Sequence, residues 1–145
     1  MILIVFYNGT AFCYTKITEE TEVTGEIKII VGELEIKARL NETNTATKIL
    51  EILPISSRVN LWGEEIYFPI PLDTGLENEK EIVALGDIAY WPQGKAMCIF
   101  FGKTPASKGE EPRPVSPVTI IGKIEGEPKL LGKVKQGENI TLERR

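Results

Sequence analysis

The sequence predicts a mainly β protein: a closed or nearly closed antiparallel barrel of about eight short strands with one or two short helices. Short apolar runs with a period of two recur along the chain, and Gly, Asn or Pro turn signals separate them at close intervals. This pattern is typical of antiparallel barrels rather than of alternating strands and helices. Closure also removes the exposed strand edges at which sheets pair with other chains.

Composition narrows the range of functions. The 145 residues carry a net charge of −4, with both signs interspersed, which argues against nucleic acid as a partner because phosphate binding needs a clustered basic surface. The chain contains no histidine, so histidine-based catalytic triads and the commonest zinc ligand are excluded. We therefore expect no catalytic constellation, no metal and no cofactor in a single domain spanning residues 1–145.

Nothing near the start of the chain predicts export. The apolar run that ends at Tyr7 has no basic residues before it and is too short to span a membrane. Cys13 and Cys98 lie far apart in apolar surroundings, so we expect buried thiols in a reducing compartment rather than a disulfide. The sequence thus predicts a cytoplasmic protein without a membrane partner, and the abundance of Ile, Glu and Lys favours a heat-adapted source.

The first predicted element is a hairpin. Its strands, Ile2 to Tyr7 and Ala11 to Lys16, flank Asn8-Gly9, a dipeptide that favours the type I′ turn because both central residues need positive φ. An acidic, turn-like segment, Thr18 to Gly25, separates this hairpin from a second strand pair, Glu26 to Val31 and Glu33 to Leu40. In the second of these strands apolar and charged residues alternate, which indicates one buried face and one wet face.

One helix is predicted, from Asn44 to Leu53. The hydrophobic period changes there to about 3.6, Asn41 or Thr43 is available as the N-cap, and Pro54 ends the helix. We expect its apolar stripe to cover an open end or a face of the barrel. The stripe consists of Ala46, Ile49, Leu50 and Leu53.

Strands return after the helix. The stretch from Gly86 to Pro105 predicts a hairpin, in which Ala96 to Phe101 is apolar on both faces, as expected of a strand with other protein on each side. The loop from Lys103 to Pro117 carries four of the nine prolines, and loops of that size are usually functional or mobile. The remaining predicted elements are strands within Ser56 to Pro71, at Val118 to Ile124 and at Asn139 to Glu143, and a helical turn at Lys129 to Val134.

Three runs of the chain resemble a small, largely uncharacterised cyclophilin-like family of bacteria and archaea. They are NLWGEEIYF (Asn60 to Phe68), GDIAYWPQGKAMCIFFGKTP (Gly86 to Pro105) and SPVTIIGKI (Ser116 to Ile124). The likeness covers residues 25–145 and implies a cyclophilin-type barrel. Residues 1–24 fall outside the likeness, and two alternatives stay open for them: an additional hairpin of the domain or an upstream start. Cyclophilins proper are prolyl isomerases that use an arginine beside an aromatic and glutamine-bearing strand, with a tryptophan and a histidine nearby. Here Arg58 is the one arginine near the corresponding stretch and histidine is missing, so we do not expect an active isomerase.

The candidate site lies where the Trp62 turn approaches the tip of the Gly86 to Pro105 hairpin on the outer barrel face. Ligand sites are usually lined by aromatic and other apolar side chains, with a few polar groups that orient the ligand. We expect an aromatic groove that binds a small molecule or an extended peptide, and leave the oligomeric state open, with a homodimer as one alternative. The candidate ligand-binding residues are Trp62, Glu64, Glu65, Tyr67, Trp91, Lys95 and Met97.

An enzymatic alternative stays open at this point. The protein could be a degenerate peptidyl-prolyl isomerase or a carboxylate-dependent enzyme acting on a cyclic amide. Adjacent strand residues face opposite sides, so Glu64 and Glu65 cannot work together as acid and base. One of them paired with Asp87 is the arrangement that such chemistry would need.

Overall fold

The computed structural model describes residues 3–7, 10–14 and 25–145. Its strands form a two-stranded sheet near the N-terminus and a nine-stranded antiparallel sheet. The strands are β1 (Leu3–Tyr7), β2 (Thr10–Tyr14), β3 (Glu26–Val31), β4 (Leu34–Leu40), β5 (Ile55–Arg58), β6 (Asn60–Leu61), β7 (Glu65–Pro69), β8 (Asp87–Trp91), β9 (Ala96–Phe100), β10 (Thr119–Ile124) and β11 (Asn139–Arg144), with one α-helix, α1 (Asn44–Ile52), and 3-10 turns at Pro92–Gly94 and Pro128–Lys133.

The N-terminal hairpin is confirmed as a pairing. Strands β1 and β2 run antiparallel in a register that places Tyr7 opposite Thr10 and Leu3 opposite Tyr14. That register leaves two residues between the strands, as the Asn8-Gly9 signal predicts. The turn itself and the acidic segment from Thr18 onward fall outside the described residues.

The nine-stranded sheet curls into a nearly closed barrel. Its order is β5-β11-β3-β4-β10-β8-β9-β7-β6, so its two ends are consecutive parts of the chain separated by Val59 alone. Val59 still bonds towards β11, because its N–H donates to the Glu138 carbonyl at 2.9 Å and its carbonyl accepts from the Gly137 N–H at 2.8 Å. Taken as one interrupted strand, β5 and β6 close the barrel with eight strands, which confirms the predicted architecture.

The barrel interior is filled by the inward faces of the strands. Side chains two residues apart point to the same face, so Ile66 and Phe68 of β7 meet Met97 and Ile99 of β9 inside the barrel. Tyr90 is fully buried among them, and its hydroxyl donates to the Leu72 carbonyl at 2.6 Å. This interior core anchors the strands that carry the candidate site.

Helix α1 packs its apolar stripe against the barrel as predicted, with Ala46 and Ile49 fully buried. Thr43 is the N-cap: its hydroxyl accepts from the Ala46 N–H at 3.1 Å. The Glu77 carboxylate, from the loop after β7, accepts from the N–H groups of Asn44 and Thr45 at 2.9 and 3.1 Å. These donors lower the pKa of Glu77 and tie the loop to the first turn of the helix. The described helices are too short to cross a membrane.

The hairpin of β8 and β9 is buried on both faces, as its composition predicts. Ala89, Cys98 and Phe100 point away from the barrel interior and form a second, smaller apolar cluster with Val118. The chain from 103 to 118, called here the covering segment, lies over this outer face. The predicted loop therefore supplies a second layer of protein outside the barrel wall.

Removing the helix cap should destabilise the fold. We expect Thr43→Ala to lower the free energy of unfolding by about 1 kcal/mol, because the Ala46 N–H loses its acceptor at the start of α1. Urea denaturation followed by circular dichroism measures the change. Glu51→Ala, an exposed position of the same helix, is the control, and equal stability of the two variants would contradict the assigned cap.

Candidate functional site

The turn between β6 and β7 brings Trp62 and Glu65 together. The Trp62 N–H donates to the Glu65 carbonyl at 2.9 Å and the Glu65 N–H donates to the Trp62 carbonyl at 3.2 Å. Gly63 has φ of +61°, and a Cβ at this position would meet the Lys103 carbonyl oxygen at 2.9 Å. A tight turn with glycine at its first central position places the two flanking side chains on one face. The sequence Trp-Gly-Glu-Glu thus sets an aromatic ring beside a carboxyl on the outer wall.

Trp91 forms the opposite wall, at the end of β8. Its ring lies over Gly94, where a Cβ would come within 2.4 Å of the indole, so glycine is needed at this position of the turn. The indole Nε1–H donates to Ser116 Oγ at 2.7 Å, and Ser116 donates to Gln93 Oε1 at 3.2 Å. Tyr67 meets the Trp91 ring edge to face, with centroids 6.2 Å apart. These contacts hold the ring in one orientation.

A cavity of about 150 Å³ lies between these aromatic residues and the covering segment. A cavity of about this volume holds one benzene-sized ring in a protein interior. Two other depressions of the described residues, beside Gly32 and Glu138, have larger volumes, but no aromatic residue lines them. The cavity is lined by Trp62, Glu65, Tyr67, Trp91, Cys98, Pro114, Val115 and Val118.

The carboxyl of Glu65 is the polar feature of this apolar cavity. The residue is only 5% exposed, and Oε1 has no hydrogen-bond partner among the described residues. Burial removes water from the charged form and raises the pKa of Glu65 to about 7, while a hydrogen bond with the Cys98 thiol acts in the opposite direction. A buried acceptor without a donor is unusual in a folded protein and often marks a functional group.

Cys98 lies across from Tyr67 in the β7–β9 pairing and is 1% exposed. Burial raises the pKa of its thiol well above the ordinary value, and the neighbouring Glu65 carboxylate raises it further. The thiol therefore stays protonated near neutral pH, where it acts as a weak donor to Glu65. It is a free thiol, as expected, and its protonation does not fit the role of a nucleophile.

Four of the seven predicted site residues line the cavity, and three do not. Met97 is fully buried in the barrel interior, on the opposite face of β9 from Cys98. Lys95 pairs with Asp73 at 3.6 Å at the exposed hairpin tip. The Glu64 carboxylate points out of the turn, where it accepts from the Lys103 N–H at 3.2 Å and pairs with Lys129 at 3.8 Å.

The remaining lining residues were not predicted. Trp91 pairs with Ala96 across the turn, so every second residue after Ala96 lies on the same face of the sheet as Trp91. Cys98 is the first of these residues, and the pairing could therefore have identified it as a lining residue. Pro114, Val115 and Val118 come from the covering segment. The irregular part of that segment has no periodicity from which a contact with β9 could be inferred.

The residues weighed for catalysis do not join Glu65 in the cavity. Asp87 accepts from the Ala84 N–H at 2.8 Å and pairs with Lys123 at 3.0 Å, which uses its carboxylate to fix the start of β8. Arg58 donates to the Gly137 carbonyl at 3.2 Å and is absent from the cavity lining. Among the described residues, the cavity lining therefore contains one carboxyl, that of Glu65, and no arginine.

Comparison with known proteins identifies the family. A family model described as cyclophilin-like matches residues 25–143. The solution structure of a hypothetical protein from Archaeoglobus fulgidus is 40% identical, with a TM-score of 0.72 over 85% of this chain and 96% of that chain. McbB, whose structure was determined in complex with tryptophan, is 16% identical, with a TM-score of 0.60 over 82% of this chain and 44% of McbB, and shares the fold alone. A search of curated proteins found no match.

Burial of the Glu65 carboxyl should make stability depend on pH. The folded state keeps this proton up to a pKa of about 7, whereas the unfolded chain loses it near 4.5, so the Glu65 contribution to stability falls as pH rises between these values. We expect Glu65→Gln, which cannot ionise, to gain roughly 2 to 3 kcal/mol relative to the parent between about pH 5 and about pH 8.

Urea denaturation of both proteins across this pH range measures the difference. Glu64→Gln is the matched control, because it removes one acidic group at the adjacent, exposed position. A difference between the parent and Glu65→Gln that does not change with pH would contradict the buried, ionisable carboxyl.

Proposed function

The chain belongs to the cyclophilin-like family, and from this premise we propose that it binds a small organic molecule in the cavity on the outer barrel wall. The observation that carries the proposal is Oε1 of Glu65, which lies in an otherwise apolar cavity and has no hydrogen-bond partner in the part of the chain that the structure describes. The ligand that best complements these surroundings has a planar ring, which packs between Trp62 and Trp91, and an N–H or O–H group that donates to Glu65.

The energetics of the carboxyl favour a donor on the ligand. Leaving a buried acceptor unpaired is costly, and a hydrogen bond to a charged group contributes roughly 1.5 to 3 kcal/mol. A ring with a donor should therefore bind more tightly than a ring of the same shape without one. The volume of about 150 Å³ accepts one ring system, with any further part of the ligand emerging from the mouth. A ring-bearing side chain of an extended peptide would use the same contacts.

Indole and benzofuran test this proposal, since they have the same shape and differ in the N–H group. We expect indole to bind at least tenfold more tightly at about pH 8, where the Glu65 carboxylate accepts the N–H, and the preference to shrink at about pH 5.5, where the carboxyl is protonated. Glu65→Met, which removes the acceptor, should abolish the preference and retain binding of benzofuran.

Nuclear magnetic resonance measures the affinities directly. The chain has two tryptophans, and both line the cavity, so its two indole Nε1–H resonances report on the two aromatic walls. Glu64→Gln serves as the control variant. Resonances that do not move with either compound, or equal affinities for both compounds at pH 8, would contradict the proposal.

A carboxylate-dependent reaction on a cyclic amide is the second candidate. The pKa of about 7 favours it, because a general acid or base works best when its pKa lies near the working pH. In such a reaction Glu65 would take a proton from water as the water attacks the ring carbonyl, and would return the proton to the ring nitrogen as the C–N bond breaks. Prolyl isomerisation has no comparable support, since Arg58 bonds to Gly137 instead.

Incubation with hydantoin and dihydrouracil tests the second candidate. A reaction that depends on ionised Glu65 should accelerate as the pH rises through about 7, and Glu65→Gln should lose the activity while its cavity still binds indole. Product formation is followed by proton nuclear magnetic resonance. If neither ring opens in the presence of the parent protein, this reaction is excluded for both compounds and the binding function is left unaffected.

A further inference from the structure

A second, more open depression adjoins the cavity and shares Pro114 and Val115 with it. Because Pro114 and Val115 line both, the cavity and the depression are neighbours along the covering segment. In contrast to the cavity, the depression presents charged groups of both signs. Its lining consists of Glu81, Arg113, Pro114, Val115, Ser116 and Pro117.

Backbone contacts hold the two sides of this depression together. Lys80 and Val118 exchange hydrogen bonds of 2.8 and 3.0 Å, and the Val83 N–H donates to the Pro112 carbonyl at 3.3 Å. On one segment, Glu81 lies between Lys80 and Val83. On the covering segment, Arg113 lies between the partners of those residues, Pro112 and Val118. The chain therefore keeps an acidic and a basic side chain on facing segments next to the cavity mouth.

One hydrogen bond fixes the Arg113 side chain, and its Nη groups remain as donors for a ligand. Its side chain is only 21% exposed, and its Nε–H donates to the Glu111 carboxylate at 3.3 Å. That carboxylate also accepts from the N–H groups of Lys108 and Gly109, both at 2.8 Å, and these donors hold the pKa of Glu111 at about 2. Both Nη groups of Arg113 have no hydrogen-bond partner among the described residues. They present the forked donors that bind a carboxylate.

We propose that the ligand is a free α-amino acid with a planar, donor-bearing ring, whose carboxylate binds Arg113 and whose ammonium group binds Glu81. This inference rests on the proposed function, because the ring must occupy the cavity beside Glu65. An anion alone would meet the Glu81 carboxylate, and a cation alone would meet the Arg113 guanidinium. A zwitterion complements both charges.

Four indole compounds separate the contributions of the two charges. L-tryptophan carries both charged groups, indole-3-propionate carries only the carboxylate, tryptamine carries only the ammonium group, and 3-methylindole carries neither. We expect L-tryptophan to bind roughly tenfold or more tightly than 3-methylindole. Calorimetry measures the affinities, and the two tryptophan Nε1–H resonances confirm that each compound occupies the cavity.

Variants assign each charge to its residue. Arg113→Gln should weaken binding of L-tryptophan and indole-3-propionate roughly tenfold, should strengthen tryptamine, because a like charge is removed, and should leave 3-methylindole unchanged. Glu81→Gln should weaken L-tryptophan and tryptamine, should strengthen indole-3-propionate for the same reason, and should leave 3-methylindole unchanged. Arg58→Gln and Glu79→Gln remove the same charges away from the depression and should change none of the four affinities.

The failures of the two proposals are distinguishable. Binding of 3-methylindole together with equal affinity for L-tryptophan would overturn the amino-acid inference and leave the ring-binding function standing. The same holds if Arg113→Gln leaves the affinity for L-tryptophan unchanged. Failure of all four compounds to move the tryptophan resonances would overturn the ring-binding function, and the amino-acid inference with it.

Discussion

The outer face of the β8–β9 hairpin is apolar and has to be shielded from water. Ala89, Cys98 and Phe100 point out of the barrel, and all three are buried. Exposed together they would form an apolar patch of the kind that soluble proteins avoid. The covering segment, residues 103–118, removes this patch from water, and its course determines where the wall is left partly open. The candidate site is therefore a consequence of how the second layer packs on the first.

The cavity lies over the carboxyl of Glu65, and this group determines which ligands the cavity can bind. The Trp62–Glu65 turn fixes the position of the carboxyl, Trp62, Tyr67 and Trp91 exclude water around it, and Cys98 supplies only a weak donor. A buried and poorly paired carboxyl is costly to the folded state. A protein that retains such a group in a cavity gives up stability at neutral pH, and recognition of a donor on a ligand is a function that accounts for this loss.

Much of the fold could be predicted from the sequence, because strands with one face in the barrel carry a period of two. Helix α1 follows from its period of about 3.6, and of the two N-cap candidates, Asn41 and Thr43, the structure uses Thr43. The candidate site was predictable only in part. Trp62 and Glu65 flank a turn that the sequence marks with Gly63, whereas Met97 was placed on the wrong face of β9, because the apolar run from Ala96 to Phe101 has no polar residue to reveal which face is outside.

The covering segment could not be predicted beyond its irregularity. Its positions are set by single contacts, such as the 2.7 Å bond from the Trp91 indole to Ser116 and the exchange between Lys80 and Val118. Such contacts join residues far apart in the chain and leave no local pattern. For the same reason no pattern in the sequence indicated a binding role for Arg113, although it lies next to the cavity mouth.

The ionisation of Glu65 tests the account most directly. A carbon-13 titration of the glutamate side-chain carboxyls, with the Glu65 signal assigned by its loss in Glu65→Gln, measures its pKa in the folded protein. We expect a midpoint near 7, since the carboxyl is buried in an apolar cavity. A midpoint near 4.5, the ordinary value, would show that water reaches Glu65 freely and would contradict the proposed ligand site at this cavity.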